Sequence, residues 1–186
     1  MSAFIIILII VVVIIVLAIS AYNKLIDLKN KVREAASDID VQLKRRYDLI
    51  PNLIETVKGS KNFEQETLEK VIKARQQAID VKGLGADKAA AENMLSQTLG
   101  KLFALTESYP DLKSNQNFMQ LQEELTNTED RILASRRFYN QTVADYNTTQ
   151  DQFPTILFKG LAGAKQENFF ELENPTEERK NVQVKF

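Results

Sequence analysis

Seventeen consecutive residues, Ala3 to Ile19, carry no polar side chain, and fifteen of them are Ile, Leu, Val or Phe. With Ser20, Ala21 and Tyr22 the run reaches about 20 residues, or roughly 30 Å as a helix, the thickness of a bilayer hydrocarbon core. At about −0.3 to −0.6 kcal/mol per large apolar residue, insertion is favoured by up to roughly 5–9 kcal/mol, and nothing charged opposes it. Ile and Val are poor helix formers in water. In lipid an unpaired backbone costs several kcal/mol, so the run must be helical. The reading is an uncleaved, single-pass transmembrane anchor over residues 1–22. A cleaved signal peptide is the rival, because Ala18-Ile19-Ser20 resembles a small-residue cleavage site. Against it, Met1-Ser2 lacks a basic start and the run is longer than a usual signal core.

Lys24, Lys29, Lys31 and Arg33 follow at once, opposed nearby only by Asp27. The positive-inside rule then predicts the N-terminus outside and everything after the anchor in the cytoplasm. These cations, with Lys159 and Lys165 further on, are candidate membrane-surface residues that would hold anionic headgroups.

Beyond the anchor, few turn signals remain. Six Gly and four Pro in 186 residues leave little punctuation, which points to a few long helices rather than a sheet. Val32, Ala36, Ile39, Leu43, Tyr47, Ile50, Ile54 and Val57 step by about 3.6 residues, an amphipathic helix over about 24–58 closed by Gly59-Ser60. Pro51 lies in phase within it, so a kink is expected, with a helix restarting after an Asp48 cap as the alternative. A second helix runs over about 62–81, capped at Asn62 and ended by Gly83-Leu84-Gly85. A third, about 87–108, starts at Asp87, carries Ala91, Met94, Leu95, Leu99, Leu102, Phe103 and Leu105, and stops at Pro110. Gly100 inside it has no reason visible in the sequence.

The fourth helix, about 114–153, is the most regular feature of the chain. Phe118, Leu125, Ile132, Tyr139, Tyr146 and Phe153 recur every seven residues, a seam facing other helices. The positions three later are Leu121, Thr128, Ser135, Thr142 and Thr149, which suggests a narrow seam. Solvent exposure of the small residues is the alternative.

The fold class expected is all-α: one transmembrane helix, then an up-and-down four-helix bundle over 23–153 with two long and two short helices. The short pair covers only half of each long helix, leaving an apolar two-helix stalk. Such a surface marks self-association, unless the tail covers it. The tail, 154–186, begins with the apolar segment 155–165, which would lie at the membrane interface or pack on the bundle through Phe169, Phe170 and Leu172. Residues 173–181 are polar, and Val182, Val184 and Phe186 alternate like a short strand.

Chemistry is hard to place. With no His and no Cys the chain lacks the commonest general base, thiolate nucleophiles and Cys-ligated metal sites. A carboxylate-bridged di-iron bundle needs Glu-x-x-His pairs, so it fails as well. Gly83 and Gly85 lack the third glycine and the preceding strand of a dinucleotide loop, and Gly160–Lys165 has the wrong spacing for a phosphate loop. Asp38, Asp40 and Asp48 lack the alternating loop geometry of a calcium site. With Lys44-Arg45-Arg46 they read as an ion-pair-laced helix face. Glu123-Glu124 and Glu129-Asp130 read as a solvated face. Arg136, Tyr139, Asn140, Tyr146 and Asn147 suit hydrogen bonds that lock helix register. Lys and Arg number 24 against 25 Asp and Glu, so no global field favours nucleic acid. No catalytic residue, cofactor or metal is expected.

Two stretches, EAASDIDVQLKRRYDLIPNLIETVKG (34–59) and YPDLKSNQNFMQLQEELTNTEDRILASRRFYNQTVADYN (109–147), closely resemble the LemA family. Phe153-Pro154 and the apolar helix followed by Tyr22-Asn23 match as well. Ala36 stands where many relatives carry Trp, and Tyr47 where many carry His. The resemblance implies a bacterial membrane protein with a four-helix soluble bundle. It supplies no catalytic residues, and one branch is associated with building intracellular membrane compartments.

The leading expectation is a non-catalytic, membrane-anchored, self-associating scaffold or adaptor at the cytoplasmic face of the inner membrane. Its partners would be the bilayer, further copies of itself and other membrane proteins. The alternative is a lipid-binding or membrane-remodelling module acting through the juxtamembrane cations and segment 155–165.

Overall fold

A computed structural model of the chain describes residues 2–60 and 63–171. Among these the structure is all-helical. The elements are α1 (Ser2–Lys58), α2 (Gln65–Asp80), α3 (Ala86–Thr106), the single turn α4 (Pro110–Lys113) and α5 (Gln116–Asp151), then a 3-10 turn, Thr155–Phe158. The Asn62 cap, Leu172, the polar stretch 173–181 and the Val182, Val184 and Phe186 alternation lie outside the described residues.

The apolar run and the amphipathic segment after it form one helix, α1, which also continues through Pro51. A proline inside a helix has no N–H for the carbonyl four residues earlier, here that of Tyr47. That carbonyl is answered from another element: Arg75 of α2 donates its Nε–H to Tyr47 O at 2.9 Å. The helix passes Pro51 because a side chain replaces the missing donor.

Helix ends differ from expectation where local chemistry offers a better cap. Gly85, in an extended conformation, is the N-cap of α3, and Asp87 sits in the first turn instead, where the helix's partial positive charge favours it. Pro110 does not simply stop a helix. It opens α4 from the first turn, where its missing N–H costs nothing. Asn115 then caps α5, its Oδ1 accepting from the amides of Asn117 and Phe118 at 2.9 and 3.2 Å. α5 ends at Asp151, and Phe153 falls outside it, consistent with the bias of a pre-proline residue away from helical ψ.

The described residues divide into two compact units, 2–38 with 137–168 and 39–136 with 169–171. In the second, one apolar core joins Ile50, Leu53, Ile54 and Val57 of α1, Leu68, Val71, Ala74 and Ala78 of α2, Leu95, Leu99 and Leu102 of α3, and Phe118 and Leu125 of α5. Truncating one such leucine to Ala typically costs about 2–5 kcal/mol. Thr128 lies buried on this seam with its hydroxyl donated to its own helix at Glu124 O, 2.7 Å away. A buried hydroxyl satisfied in this way behaves as a small spacer.

In the first unit, Leu25, Val32 and Ala35 of α1 and Tyr139, Val143 and Tyr146 of α5 are buried. The uncovered stalk expected from helix lengths is not found here, because the segment after α5 folds back onto it. Asn147 brackets the Glu167 peptide, donating Nδ2–H to its carbonyl at 2.9 Å and accepting its N–H at 3.0 Å. Tyr139 donates its hydroxyl to Asn168 O at 3.0 Å. These polar side chains, expected to lock helix against helix, instead hold the tail by its backbone.

The Pro51–Arg75 relation is testable by a double-mutant cycle. Arg75→Met keeps the aliphatic stem and should cost about 1–3 kcal/mol by leaving the Tyr47 carbonyl without a donor. In a Pro51→Ala background the new amide bonds that carbonyl, so the Arg75→Met penalty, read from unfolding midpoints, should shrink. Equal penalties in both backgrounds would refute the relation.

Candidate functional site

Buried positions on α1 alternate by three and four residues: Val32, Ala35, Ile39, Leu43, Arg46, Ile50, Leu53 and Val57. A charged residue stands in the middle of an apolar stripe. Arg46 is 1% exposed, so the reading of Lys44-Arg45-Arg46 with Asp38, Asp40 and Asp48 as a surface face needs correction at Arg46. Lys44 does pair with Asp48 on the surface at 2.7 Å. The same alternation on α3 runs Lys88, Glu92, Leu95, Leu99, Leu102 and Thr106, again placing charge in the core stripe.

These residues meet within the second unit. Arg46 donates one terminal nitrogen to Ser96, at 2.8 Å, and to Glu129 of α5, and the other to Glu92. Tyr47 donates its hydroxyl to Glu92 and accepts from Lys88 Nζ at 2.9 Å. Lys88 also reaches Ala78 O at 2.6 Å and Glu92 Oε1 at 3.1 Å. Ser96 passes its own proton to Glu129 at 3.0 Å. Two cations face two carboxylates, so the cluster is formally neutral. Both oxygens of Glu92 and all three protons of Lys88 are used. Within the cluster only Arg46 Nε has no hydrogen-bond partner. A cavity of about 210 Å³ lies beside it, walled by Ser96, Leu99, Gly100, Phe103, Leu125 and Glu129. A methyl at Gly100 would meet nothing within 4 Å, and no contact explains a glycine there.

Such a set is suited to pairing helices rather than to turnover. Buried ion pairs contribute little net stability, but sliding a helix past them would strand a charge. The Tyr47 phenol is pushed well above the usual phenol range, first by burial and then by its hydrogen bond to Glu92. A phenol held neutral in this way is a poor general base near pH 7. Among the described residues no group of His, Cys, Asp and Glu side chains converges to hold a metal ion. The other acidic candidates are scattered: Glu123, Asp38, Asp40 and Asp130 are exposed, and Glu124 lies 3.9 Å from Arg45.

The membrane-surface candidates all fall in the first unit. Lys24, Lys31, Arg33 and Lys165 are exposed, with Lys31 paired to Asp27 at 2.9 Å. Half-buried Lys29 donates to Gly163 O at 3.4 Å, and half-buried Lys159 pairs with Asp151 at 2.7 Å. Of the heptad seam, Phe118, Leu125, Ile132, Tyr139 and Tyr146 are buried within the single chain, and Phe153 is 80% exposed. The five buried rings and aliphatics are therefore packed within the single chain.

The family model for the LemA family matches residues 35–186, most of the chain outside the apolar run. The chain belongs to the LemA family. Protein LemA of Metamycoplasma hominis is 32% identical over 129 residues, covering 68% of this chain and 58% of that protein. Magnetosome protein MamQ of Magnetospirillum gryphiswaldense is 21% identical over 174 residues, covering 80% of this chain and 64% of its own length. MamQ 2 of Paramagnetospirillum magneticum is similar at 21% over 175 residues, 81% and 64% covered. The chain thus spans about six tenths of the length of these curated relatives.

Glu92→Gln should destabilise this LemA chain by about 3–5 kcal/mol, because buried Lys88 would lose its carboxylate partner and Arg46 would keep Glu129 alone. Adding Lys88→Met restores neutrality and should recover a large part of the loss in thermal unfolding of the detergent-solubilised protein. No recovery would show that charge balance is not what the cluster supplies. The cluster also sets an alkaline limit. An unfolded phenol ionises near pH 10. The folded Tyr47 stays protonated above that, so its contribution is full below about pH 10 and is lost as pH rises further. Tyr139 and Tyr146 are raised in the same direction by burial. Tyr47→Phe should therefore flatten part, not all, of the stability loss above pH 10.

Proposed function

We propose that this LemA chain is a non-catalytic, membrane-anchored scaffold that self-associates, with the residues after its anchor on the cytoplasmic side of a bacterial inner membrane. Residues 39–136 act in this reading as an up-and-down four-helix bundle. The observation that carries it is α1 itself. Residues 4–17 are all apolar and each 45–72% exposed, and the same helix continues without a break into buried Leu25 and Val32. In water such a surface is untenable; in hydrocarbon it is the normal exterior of a spanning helix. The anchor is therefore joined to packed structure by helix, not by a flexible linker.

Absence of catalysis is supported by the neutral charge cluster, in which only Arg46 Nε is unpartnered, and by a phenol pushed away from the range of acid–base work. The cytoplasmic side is supported by the excess of cations just after the span. Self-association draws on exposed apolar side chains outside the span, among them Val41, Leu133 and Phe138.

The chain has no cysteine, so a single Gln97→Cys on exposed α3 gives an unambiguous topology probe. It should resist a membrane-impermeant maleimide in intact cells and react after lysis; labelling of intact cells would reverse the orientation. Mass measurement of the full chain in mild detergent should show more than one copy at micromolar concentration. A monomer throughout that range would remove self-association.

A further inference from the structure

After α5 the chain builds a compact knob from its own backbone. Ile156 N–H donates to Gln152 O at 2.8 Å, Ala162 N–H to Phe158 O at 2.9 Å and Ala164 N–H to Lys159 O at 3.0 Å. Thr155 adds its hydroxyl to Gln152 O at 2.7 Å, and Lys159 is tied to Asp151. The knob is ordered, yet its burial is inverted. Small residues point inward, Thr155 at 5% and Ala162 at 8% exposure. Large ones point outward: Phe153 80%, Ile156 48%, Leu157 64% and Leu161 79%. Scattered apolar residues on a surface are ordinary, but four within nine residues form a patch.

Its position within the first unit says what covers it. Lys29 holds Gly163 O, and Lys29 lies seven residues beyond Tyr22, where the apolar run ends, or about 10 Å along the helix. Ala21, at the end of the run, and Leu25, just beyond it, are buried at 5% and 1%. Packing in this unit therefore begins where hydrocarbon would stop. Across residues 22–33 and 151–165 six cations face two carboxylates, Asp27 and Asp151. Apolar side chains at headgroup depth beside excess positive charge match an anionic lipid interface.

We propose that residues 153–161 are an interfacial foot. Phe153, Ile156, Leu157 and Leu161 enter the headgroup–acyl boundary of the bilayer that α1 spans, while Lys24 and Lys165 meet lipid phosphates. The proposal rests on the reading of the apolar run as a spanning helix and adds a second, peripheral contact with the same membrane.

The chain has no tryptophan, so one introduced indole reports alone. Full-length Leu157→Trp and Leu161→Trp proteins, reconstituted in phosphatidylcholine–phosphatidylglycerol vesicles, should emit blue-shifted fluorescence and lose emission when the acyl chains carry bromine. Ile14→Trp, within the span, should be quenched as well, and Ile72→Trp on α2 should not. Unquenched Leu157→Trp and Leu161→Trp beside a quenched Ile14→Trp would overturn the foot and leave the anchor standing. An unquenched Ile14→Trp would overturn the anchor and the foot with it. A blue shift at Leu157→Trp without quenching, growing with protein-to-lipid ratio, would show a second copy on the patch and also overturn the foot. Matching far-UV helicity among the variants establishes that folding is unaffected, since both substituted leucines are exposed.

Discussion

Backbone hydrogen bonding is the constraint on which this structure turns. In hydrocarbon no water answers an N–H or C=O, so the apolar run has one admissible conformation. That helix does not stop where the apolar run does, and α1 carries its ladder on to Lys58. The one predictable gap, opposite Pro51, is met by Arg75 from α2. The same accounting explains the tail. Residues 167 and 168 have no helix or strand to pair with, and Asn147 and Tyr139 supply the partners.

Charge in the core follows a related logic. Arg46, Lys88, Glu92 and Glu129 are tolerable together and costly apart, so they fix which faces of α1, α3 and α5 meet. Apolar stripes alone would permit a helix to slide by a turn with little change in burial. In the proposed scaffold role a fixed surface matters more than a reactive one, and the cluster fixes helix register by geometry.

Much of the helical framework was legible because it follows from spacing. The seven-residue recurrence from Phe118 to Tyr146 marks positions that are buried, and Gly83 and Pro110 mark ends of helices. Charge was the blind spot. Arg46 and Glu92 obey the same three–four alternation as the leucines around them, but polar side chains are assigned to solvent unless their partners are known. Those partners lie 46 and 83 residues away along the chain. The alternation was the available signal, and hydrophobicity-based reading discards it.

The sequence by itself determined what local physics dictates: the apolar span, the helical class, most helix ends, the cationic flank and the absence of histidine and cysteine chemistry. Each follows from residues adjacent along the chain or repeated at helical spacing. Tertiary structure decided what depends on distant pairs. It placed Arg75 against the Pro51 gap, buried Arg46 with Glu92, and laid the tail over α1 and α5 where a bare stalk was expected. It also turned Leu157 and Leu161 outward, on a segment that Lys29 of α1 holds through Gly163 O. Burial is a relation between segments, and no single segment carries it.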